Sequence, residues 1–370
     1  MRLWVLTNEY EPRIIGGLGV VATKLSFALA RVGTEVLVLT QSQYPRVEIT
    51  NPKGVRLIGF PPKSKFHSYQ QQVFSPSAIT SWLNKSGYSK PALIHIHSVQ
   101  WGDLANYYKK NFRIPIVYTC RSLVRLEGGR SRLHQPLLKN QEKLLYNADL
   151  IITPSLWLKR KIEEFYPFCI NKVLAIYHGI DLQKRAPHNN PYQLLFVGRF
   201  VKSKGLIELL NAITLLAKRY PQVRLDVVGT GSEKRRSQLR SLVRDLGITG
   251  KIRWQGYKTP KQVRNMYHSY GGVVVTSRQE SFGLVALEAM ATGIPLISTR
   301  SGGLAEHVDS SVAQIILNVN STTIAKAIEN TWKNTSRTRA RVEAGRQRAT
   351  GYRWPQVANR YKEVFLRLLR

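Results

Sequence analysis

The fold is decided by one stretch, residues 271–299, which reads "GGVVVTSRQESFGLVALEAMATGIPLIST". An apolar run at 271–277 leads into a helical segment, and a second apolar run at 293–299 follows that helix. Short continuous apolar runs separated by helices are typical of parallel strands that are covered on both faces. The stretch therefore predicts a strand–helix–strand unit of an α/β fold.

The same alternation runs along both halves of the chain. Before residue 184 the predicted strands are "RLWVLT", "TEVLVLT", "ALIHIH", "IPIVYT" and "DLIITPS". The pattern restarts after a polar segment rich in Pro and Asn, with "LLFVGR", "RLDVVG" and "IRWQG". We predict one Rossmann-like domain at residues 1–183, a linker at 184–191 and a second Rossmann-like domain at 192–355. The amphipathic C-terminal segment fits against either domain.

The charge of the chain is unusual. Its 370 residues carry a formal net charge of +34, divided as +15 up to residue 185 and +19 beyond it. Such a charge favours polyanions, namely nucleic acid, an anionic bilayer or phosphorylated substrates, and a basic solvated surface is the alternative. Because the bases are dispersed and no recognisable nucleic-acid-binding motif accompanies them, we expect no specific nucleic-acid partner.

Three further features concern the compartment. No apolar run approaches the roughly 18 residues that a membrane-spanning helix needs. The N-terminal "MRLWVLTNEY" reads as a first strand and lacks the pattern of a secretory signal. The two cysteines, Cys120 and Cys169, have the spacing of neither a disulfide framework nor a zinc site. These features predict a cytoplasmic protein.

Two loops that follow predicted strands have the composition of phosphate-binding segments. Gly16, Gly17 and Gly19 lie between the first strand and its helix, where backbone N–H groups can approach a phosphate. The loop is not a G-x-G-x-x-G motif, and a tight turn explains it equally well. Arg199 and Lys204 follow the first strand of the second domain and can neutralise a diphosphate without a metal. An ordinary basic loop is the alternative there.

Two acids flank the start of the helix in the opening stretch. We expect Ser281 to cap this helix and the first turn to begin near Phe282, which places Glu288 roughly 9 Å along the axis. An extended ligand can then place a diol at Glu288, a diphosphate at the helix start and a hydroxyl-rich group at Glu280. Backbone N–H groups between the two acids belong to Phe282, Gly283 and Leu284. The alternative is that Glu288 pairs with a buried Arg while Glu280 is exposed.

The order and spacing of these motifs resemble glycosyltransferase family 4, retaining enzymes of the GT-B fold. The resemblance rests on the loop at Gly16–Gly17 and the Glu280–Glu288 motif, together with "NADLIITPS", "HGID", "VGRFVKSKG", "VVGTGSE", "GIPLIST" and "SGGLAEHV". It implies an α/β architecture of two Rossmann-like domains that face each other across a deep cleft. The first domain would bind the acceptor and the second the nucleotide sugar, and the last helix, about 356–370, would pack back on the first.

The resemblance also implies roles for residues. Arg199 and Lys204 should hold the donor diphosphate, Glu288 the ribose hydroxyls, and Glu280 should face the transferred sugar. The remaining donor-binding residues would be Gly16, Gly17, Gly229, Phe282, Gly283 and Leu284. The catalytic set would be Glu280, Arg199, Lys204 and Arg121. No metal or other cofactor is expected, because GT-B enzymes are metal-independent and the chain has no D-x-D motif.

One position departs from the family pattern. Family members carry a histidine in a T-x-H pattern after the strand written here "IVYTC", and this chain has Arg121. Arginine stays charged at neutral pH and cannot act as a base. Arg121 would instead bind an anionic sugar or acceptor, in a loop that also contains Arg125, Arg130 and Arg132. Alternatively the register is shifted, and His97 or His134 takes the histidine's place.

The function implied is sugar transfer with retention from a nucleotide-diphosphate donor, with UDP as the expected nucleotide. The acceptor would be a hydroxyl group in polysaccharide, glycolipid or glycosylated-metabolite biosynthesis, on an anionic or lipid-linked molecule. The basic first domain predicts peripheral contact with anionic lipid at the inner face of the membrane. Alternatives are a related phosphorylase, a sugar-nucleotide epimerase and, from another class, a basic nucleic-acid-binding protein.

Overall fold

The computed structural model describes residues 1–61, 75–127, 135–185 and 190–370, which form two compact units. The first unit contains Met1–Gly179 together with Trp354–Arg370, and the second contains Ile180–Arg353. The predicted linker, 184–191, falls partly on residues 186–189, which lie outside the described residues. None of the helices in the described part of the chain has both the length and the apolar character needed to span a bilayer.

The first unit is built on one sheet. Its described strands are β1 (Arg2–Leu6), β2 (Glu35–Gln41), β3 (Glu48–Thr50), β4 (Arg56–Phe60), β5 (Leu93–Ile96), β6 (Ile116–Thr119), β7 (Leu150–Thr153) and β8 (Val173–Ala175). They lie in the order β3-β4-β2-β1-β5-β6-β7-β8, and within this order β3 alone runs antiparallel to its neighbour. The strand order reverses between β1 and β5, so the loops that follow these two strands are adjacent.

The helices of the first unit cover this sheet. They are α1 (Gly17–Arg31), α2 (Pro76–Lys85), α3 (Gly102–Phe112), α4 (Gln135–Asn147), α5 (Leu156–Phe165) and the C-terminal α12 (Trp354–Leu368). The central strands are buried along nearly their whole length, which explains their continuous apolar sequences. In α12, Tyr361 and Phe365 pack on the ring of His95, and the Lys362 ammonium donates to the Val32 carbonyl.

The second unit has the Rossmann strand order. Its described strands are β9 (Gln193–Val197), β10 (Arg224–Val228), β11 (Ile252–Gly256), β12 (Gly272–Val275), β13 (Leu296–Ser298) and β14 (Gln314–Ile315). They pair in parallel in the order β11-β10-β9-β12-β13-β14. The order reverses between β9 and β12, and ligands of such sheets bind beyond the carboxyl ends of the strands at that point.

The helices of the second unit are α6 (Leu206–Ala217), α7 (Glu233–Asp245), α8 (Pro260–Met266), α9 (Leu284–Thr292), α10 (Ser321–Lys333) and α11 (Thr335–Ala349). The predicted α/β class with doubly wound parallel sheets is confirmed in both units. The start of α9 was predicted wrongly. The helix begins at Leu284 and its cap is Gly283, not Ser281, because Gly283 takes a left-handed φ of +95° that breaks the helix before it.

Candidate functional site

The loops after β9 and β12 bring together two predicted site residues. Lys204 follows β9, Glu280 follows β12, and the Lys204 Nζ lies 2.5 Å from the Glu280 Oε2. The Ser277 hydroxyl donates to the same oxygen at 3.1 Å. The side chains of Lys204 and Glu280 are each 19% exposed, so the ion pair is partly accessible to solvent. This is the place where the strand order predicts a ligand site.

The backbone around Lys204 is tied to the loop after β12. The Thr276 hydroxyl donates to the Lys204 carbonyl at 2.7 Å, and the Arg278 N–H donates to the Ser203 carbonyl at 2.7 Å. Gly205 has a φ of +66°, and a Cβ added there would lie 2.3 Å from the Thr276 carbonyl oxygen. Glycine at this position therefore allows the contact that positions the Lys204 side chain.

The Glu280 backbone is fixed in a similar way. Gly303 donates its N–H to the Glu280 carbonyl at 2.8 Å. Gly302 has a φ of +59°, and an added Cβ would lie 2.3 Å from the same carbonyl oxygen. The glycines of "SGGLAEHV" thus hold the turn that carries Glu280.

Glu288 is the fifth residue of α9, so it lies roughly 6 Å from the helix start, given a rise of 1.5 Å per residue, and not 9 Å. The Tyr267 hydroxyl donates to the Glu288 Oε2 at 2.8 Å. Burial raises the pKa of Glu288 to about 7, against the opposing effects of this hydrogen bond and of Arg264. Arg264 itself is bonded to Asp181 of the "HGID" motif at 2.6 Å.

The alternative, in which Glu288 pairs with a buried Arg and Glu280 is exposed, differs from the structure. Tyr267 contacts Glu288 directly, and Glu280 is paired with Lys204. Tyr267 was not among the predicted site residues. It lies in "TPKQVRNMYHSY", where no spacing distinguishes it from the other side chains of that segment.

Three other residues of the second unit that were predicted to bind the donor, Arg199, Gly229 and Phe282, have different surroundings. Arg199 is exposed in the loop after β9. Gly229 has a φ of +133°, and an added Cβ would lie 1.9 Å from the Gly198 carbonyl oxygen, so packing of the two strand-end loops already requires glycine. The Phe282 ring is buried against His307, with ring centroids 4.7 Å apart, which leaves its backbone as the group available to a ligand. Donor binding by these residues stays a prediction.

In the first unit the predicted phosphate-binding glycines begin α1. The N–H of Gly16 donates to the Oε2 of Glu9 at 3.0 Å, and the N–H groups of Ile15 and Gly19 donate to the same oxygen. Gly17 is the first residue of the helix. Glu9 was not among the predicted site residues, because no local motif points to it.

Arg121 contacts backbone carbonyls. Its Nη1 donates to the Leu18 carbonyl at 2.5 Å and its Nη2 to the His97 carbonyl at 3.2 Å. Burial lowers the pKa of Arg121 to about 10, and the negative charge of Glu9 opposes that change. The guanidinium therefore stays charged at neutral pH. If Arg121 binds an anionic sugar or acceptor, as predicted, it does so with N–H groups that do not donate to these two carbonyls.

The other candidates for the first unit are not brought together. His97 is buried with its ring centroid 4.2 Å from that of His95, and burial holds its pKa well below the usual value, so it is neutral. Arg125 is exposed and lies over the rings of Phe165 and Tyr166 at 5.5 and 5.6 Å. His134, Arg130 and Arg132 lie outside the described residues. Roles for these residues in acceptor or sugar binding stay predictions.

Comparisons with known proteins identify the family. The model of Glycosyltransferase Family 4 matches residues 15–184, and that of Glycosyl transferases group 1 matches residues 180–348. A glycogen synthase of Mycobacterium tuberculosis is 26% identical over 396 aligned positions, which cover 99% of this chain and 94% of the relative.

Solved structures share the fold. Sucrose-phosphate synthase of Thermosynechococcus elongatus superposes with a TM-score of 0.81 at 22% identity, over 99% of this chain and 98% of that one. HepE of Anabaena, in complex with UDP and glucose, superposes with a TM-score of 0.76 at 18% identity, over 98% of both chains. The sequence-based prediction of the family and fold is confirmed. This chain is a glycosyltransferase of the GT-B fold, whose first part belongs to Glycosyltransferase Family 4 and whose second part belongs to Glycosyl transferases group 1.

Proposed function

We propose that this glycosyltransferase moves a sugar from a UDP-sugar to a hydroxyl acceptor and retains the configuration of the anomeric carbon. The observation that carries the proposal is the accessible Lys204–Glu280 ion pair at the reversal point of the second sheet, with Glu288 on the helix that follows. The likeness to HepE, whose structure contains UDP and glucose, supports UDP as the nucleotide.

The diphosphate of the donor would bind to the side chains of Lys204 and Arg199. Lys204 is held by a single carboxylate, and a diphosphate with two or more negative charges competes with Glu280 for the ammonium. Arg199 is exposed in the same loop and can bind phosphate oxygens in a bidentate manner. Two cations supply the charge that a divalent metal supplies in other transferases, so we propose metal-independent chemistry.

The ribose would bind to Glu288. An ionised carboxylate can accept a hydrogen bond from each hydroxyl of a diol with a different oxygen, whereas protonation turns one of these oxygens into a donor. Because burial raises the pKa of Glu288 to about 7, the fraction of chains that can bind the ribose changes near neutral pH. The Tyr267 hydrogen bond keeps the carboxylate ionised at lower pH than burial alone would allow.

The reaction would proceed on one face of the sugar. The bond between the anomeric carbon and the β-phosphate oxygen breaks, and a bond from that carbon to the acceptor oxygen forms. The acceptor's proton passes to the departing phosphate oxygen, whose charge Arg199 and Lys204 stabilise. Glu280, released from Lys204 by the diphosphate, would face the transferred sugar and orient its hydroxyls.

The acceptor would be an anionic or lipid-linked molecule that carries a hydroxyl group, reached by peripheral contact with an anionic membrane. The charge of +15 on residues 1–185 supports this part of the proposal, as do exposed bases such as Lys110 and Arg113 at the end of α3. Flotation with phosphatidylserine vesicles at moderate salt tests it, with the double variant Lys110→Glu/Arg113→Glu as comparison. Absence of binding to anionic vesicles would contradict membrane contact and favour an acceptor in solution.

The donor is tested by thermal shift and product analysis. UDP, GDP and ADP, and their sugars, are screened against the wild type, Lys204→Met and Lys202→Met; Lys202 is an exposed neighbour in the same loop. We expect UDP to stabilise the wild type and Lys202→Met but not Lys204→Met. A glycoside with the donor's anomeric configuration is the expected product. Release of a sugar phosphate or of an epimerised nucleotide sugar would instead favour the phosphorylase or epimerase alternative.

A further inference from the structure

The first turn of α1 is held by Glu9, a residue that has no part in the site proposed above. A single oxygen, Oε2, accepts the N–H groups of Ile15 at 3.0 Å, Gly16 at 3.0 Å and Gly19 at 3.3 Å. These donors surround the positive end of the helix dipole, where a negative charge is most stabilising. The carboxylate therefore takes the place that a phosphate takes in glycine-rich loops.

The chain is shaped to bring Glu9 to this place. The Thr7 hydroxyl donates to the Glu9 carbonyl at 2.9 Å and accepts the Glu9 N–H at 3.3 Å, which fixes the backbone where β1 ends. Tyr10 and Arg13 then exchange backbone hydrogen bonds of 3.0 and 2.6 Å, which reverses the chain. The reversal returns Ile15 and Gly16 to the Glu9 side chain.

The glycines of "GGLG" differ in what they allow. A Cβ added to Gly19 would lie 2.9 Å from the Glu9 Cβ and 3.0 Å from its Oε2, so glycine at this position makes room for the acid. A Cβ added to Gly16 would meet no atom within 4 Å. Packing within the chain thus requires Gly19 because of Glu9, and it does not require Gly16.

Arg121 contacts the same turn of α1 through a backbone carbonyl of that turn. Its Nη1 donates to the Leu18 carbonyl at 2.5 Å, while its Nη2 reaches the His97 carbonyl at the end of β5. The charges of Glu9 and Arg121 are of opposite sign and favour each other. A neutral histidine, the residue that the family resemblance implies here, has one N–H donor and cannot bridge two carbonyls in this way.

We propose that Glu9 is a positioning residue of the glycine loop: with Arg121 it fixes the first turn of α1, and it uses the Gly16 N–H that a donor phosphate would otherwise bind. The inference rests on the proposed function, since it changes how this loop takes part in donor binding. The charge of the diphosphate is then neutralised by Arg199 and Lys204 of the second unit.

Amide hydrogen exchange over residues 13–20 tests the contact without any need for activity. We expect Glu9→Ala to speed exchange at Gly16 and Gly19 about tenfold or more, because hydrogen bonds to a charged acceptor are lost. Glu9→Asp, whose side chain is one methylene shorter, keeps the charge but should also speed exchange at Gly16 and Gly19. Glu11→Gln, an exposed acid two residues along, is the control and should change nothing. Unchanged exchange in both Glu9→Ala and Glu9→Asp would overturn the proposal.

Measurements of UDP binding show whether Glu9 positions the glycine loop or competes with a phosphate for the Gly16 N–H. The amide oxygen of Glu9→Gln can still accept the three N–H groups, so we expect its Kd for UDP to stay within about twofold of the wild type, while Glu9→Ala lowers kcat about tenfold or more through the loosened loop. If Gly16 bound the phosphate, loss of the competing charge in Glu9→Gln would tighten UDP several-fold, and the proposal would be wrong. If the wild type bound no UDP at all, the proposed function would fail while the exchange result remained decisive for Glu9.

Discussion

Removal of the Tyr267 hydroxyl should make donor binding depend more strongly on pH. Burial raises the pKa of Glu288 to about 7, and the hydrogen bond from Tyr267, 2.8 Å long, acts in the opposite direction. The other charged groups near Glu288 are Arg264, which lowers its pKa, and Asp181, which raises it. Tyr267→Phe leaves both in place and removes one interaction that favours the ionised carboxylate.

The size of the effect follows from that one bond. A hydrogen bond to a charged group is worth about 1.5–3 kcal/mol, and about 1.4 kcal/mol corresponds to a tenfold change in an ionisation constant. At pH 7 about half of the wild-type Glu288 side chains are ionised. At the lower end of that range, about one pKa unit, the ionised fraction in Tyr267→Phe falls to roughly a tenth at pH 7, so the apparent Kd for the donor rises about fivefold. At pH 9 about nine tenths of the variant's Glu288 side chains are then ionised, and the difference nearly disappears.

The assay is the Kd for UDP, measured by calorimetry between pH 6 and pH 9. Because the folded-state pKa is raised, the wild type should bind more tightly as the pH rises through 7, and Tyr267→Phe should reach the same plateau at higher pH. Tyr220→Phe is the matched control, since Tyr220 donates to Glu329 at 2.7 Å in the same unit, away from the site. A loss of affinity of the same size at pH 7 and pH 9, or no loss at either, would refute the role given to Glu288.

Three further predictions concern the second unit. Glu280→Ala should lower kcat by about 10²-fold or more while UDP binds as tightly as before or more so, because Lys204 loses its competing partner; an unchanged kcat would remove Glu280 from the site. Gly205→Ala should lower the free energy of unfolding by at least about 1–2 kcal/mol and weaken UDP binding, because the left-handed backbone is strained and the new Cβ meets the Thr276 carbonyl. Urea unfolding checks this, with Gly250→Ala, where a Cβ meets nothing within 4 Å, as the control. Asp226→Ala should cost about 3 kcal/mol of stability in the same assay, because this side chain, 1% exposed, accepts hydrogen bonds from Gln193, Arg253, Gln255 and Tyr270. The exposed Asp245→Ala is its control, and equal stability of the two variants would contradict the prediction.

The strand and helix order was predictable because it depends on local composition. Buried parallel strands need continuous apolar runs, and "GGVVVTS" and "GIPLIST" are such runs. The start of α9 was not predictable to the residue. Ser281 is a good cap by composition, but the left-handed backbone of Gly283 depends on close packing against Leu304, which no local pattern shows.

The partners of the site residues were also beyond prediction from sequence. Lys204 and Glu280 are 76 positions apart, and their contact depends on the pairing of β9 with β12. Tyr267 reaches Glu288 of α9 from the turn after α8, and Glu9 reaches the glycine loop only after the reversal at Tyr10–Arg13. Motif spacing identifies residue types with suitable chemistry, whereas the hydrogen bonds that orient them come from tertiary contacts.

The most direct measurement is a crystal structure of the protein with UDP. We predict that the β-phosphate lies within hydrogen-bond distance of the Lys204 ammonium, that this ammonium has left Glu280, and that the ribose hydroxyls donate to Glu288. A diphosphate bound elsewhere, with the Lys204–Glu280 pair intact and Glu288 in contact with Tyr267 alone, would contradict the account.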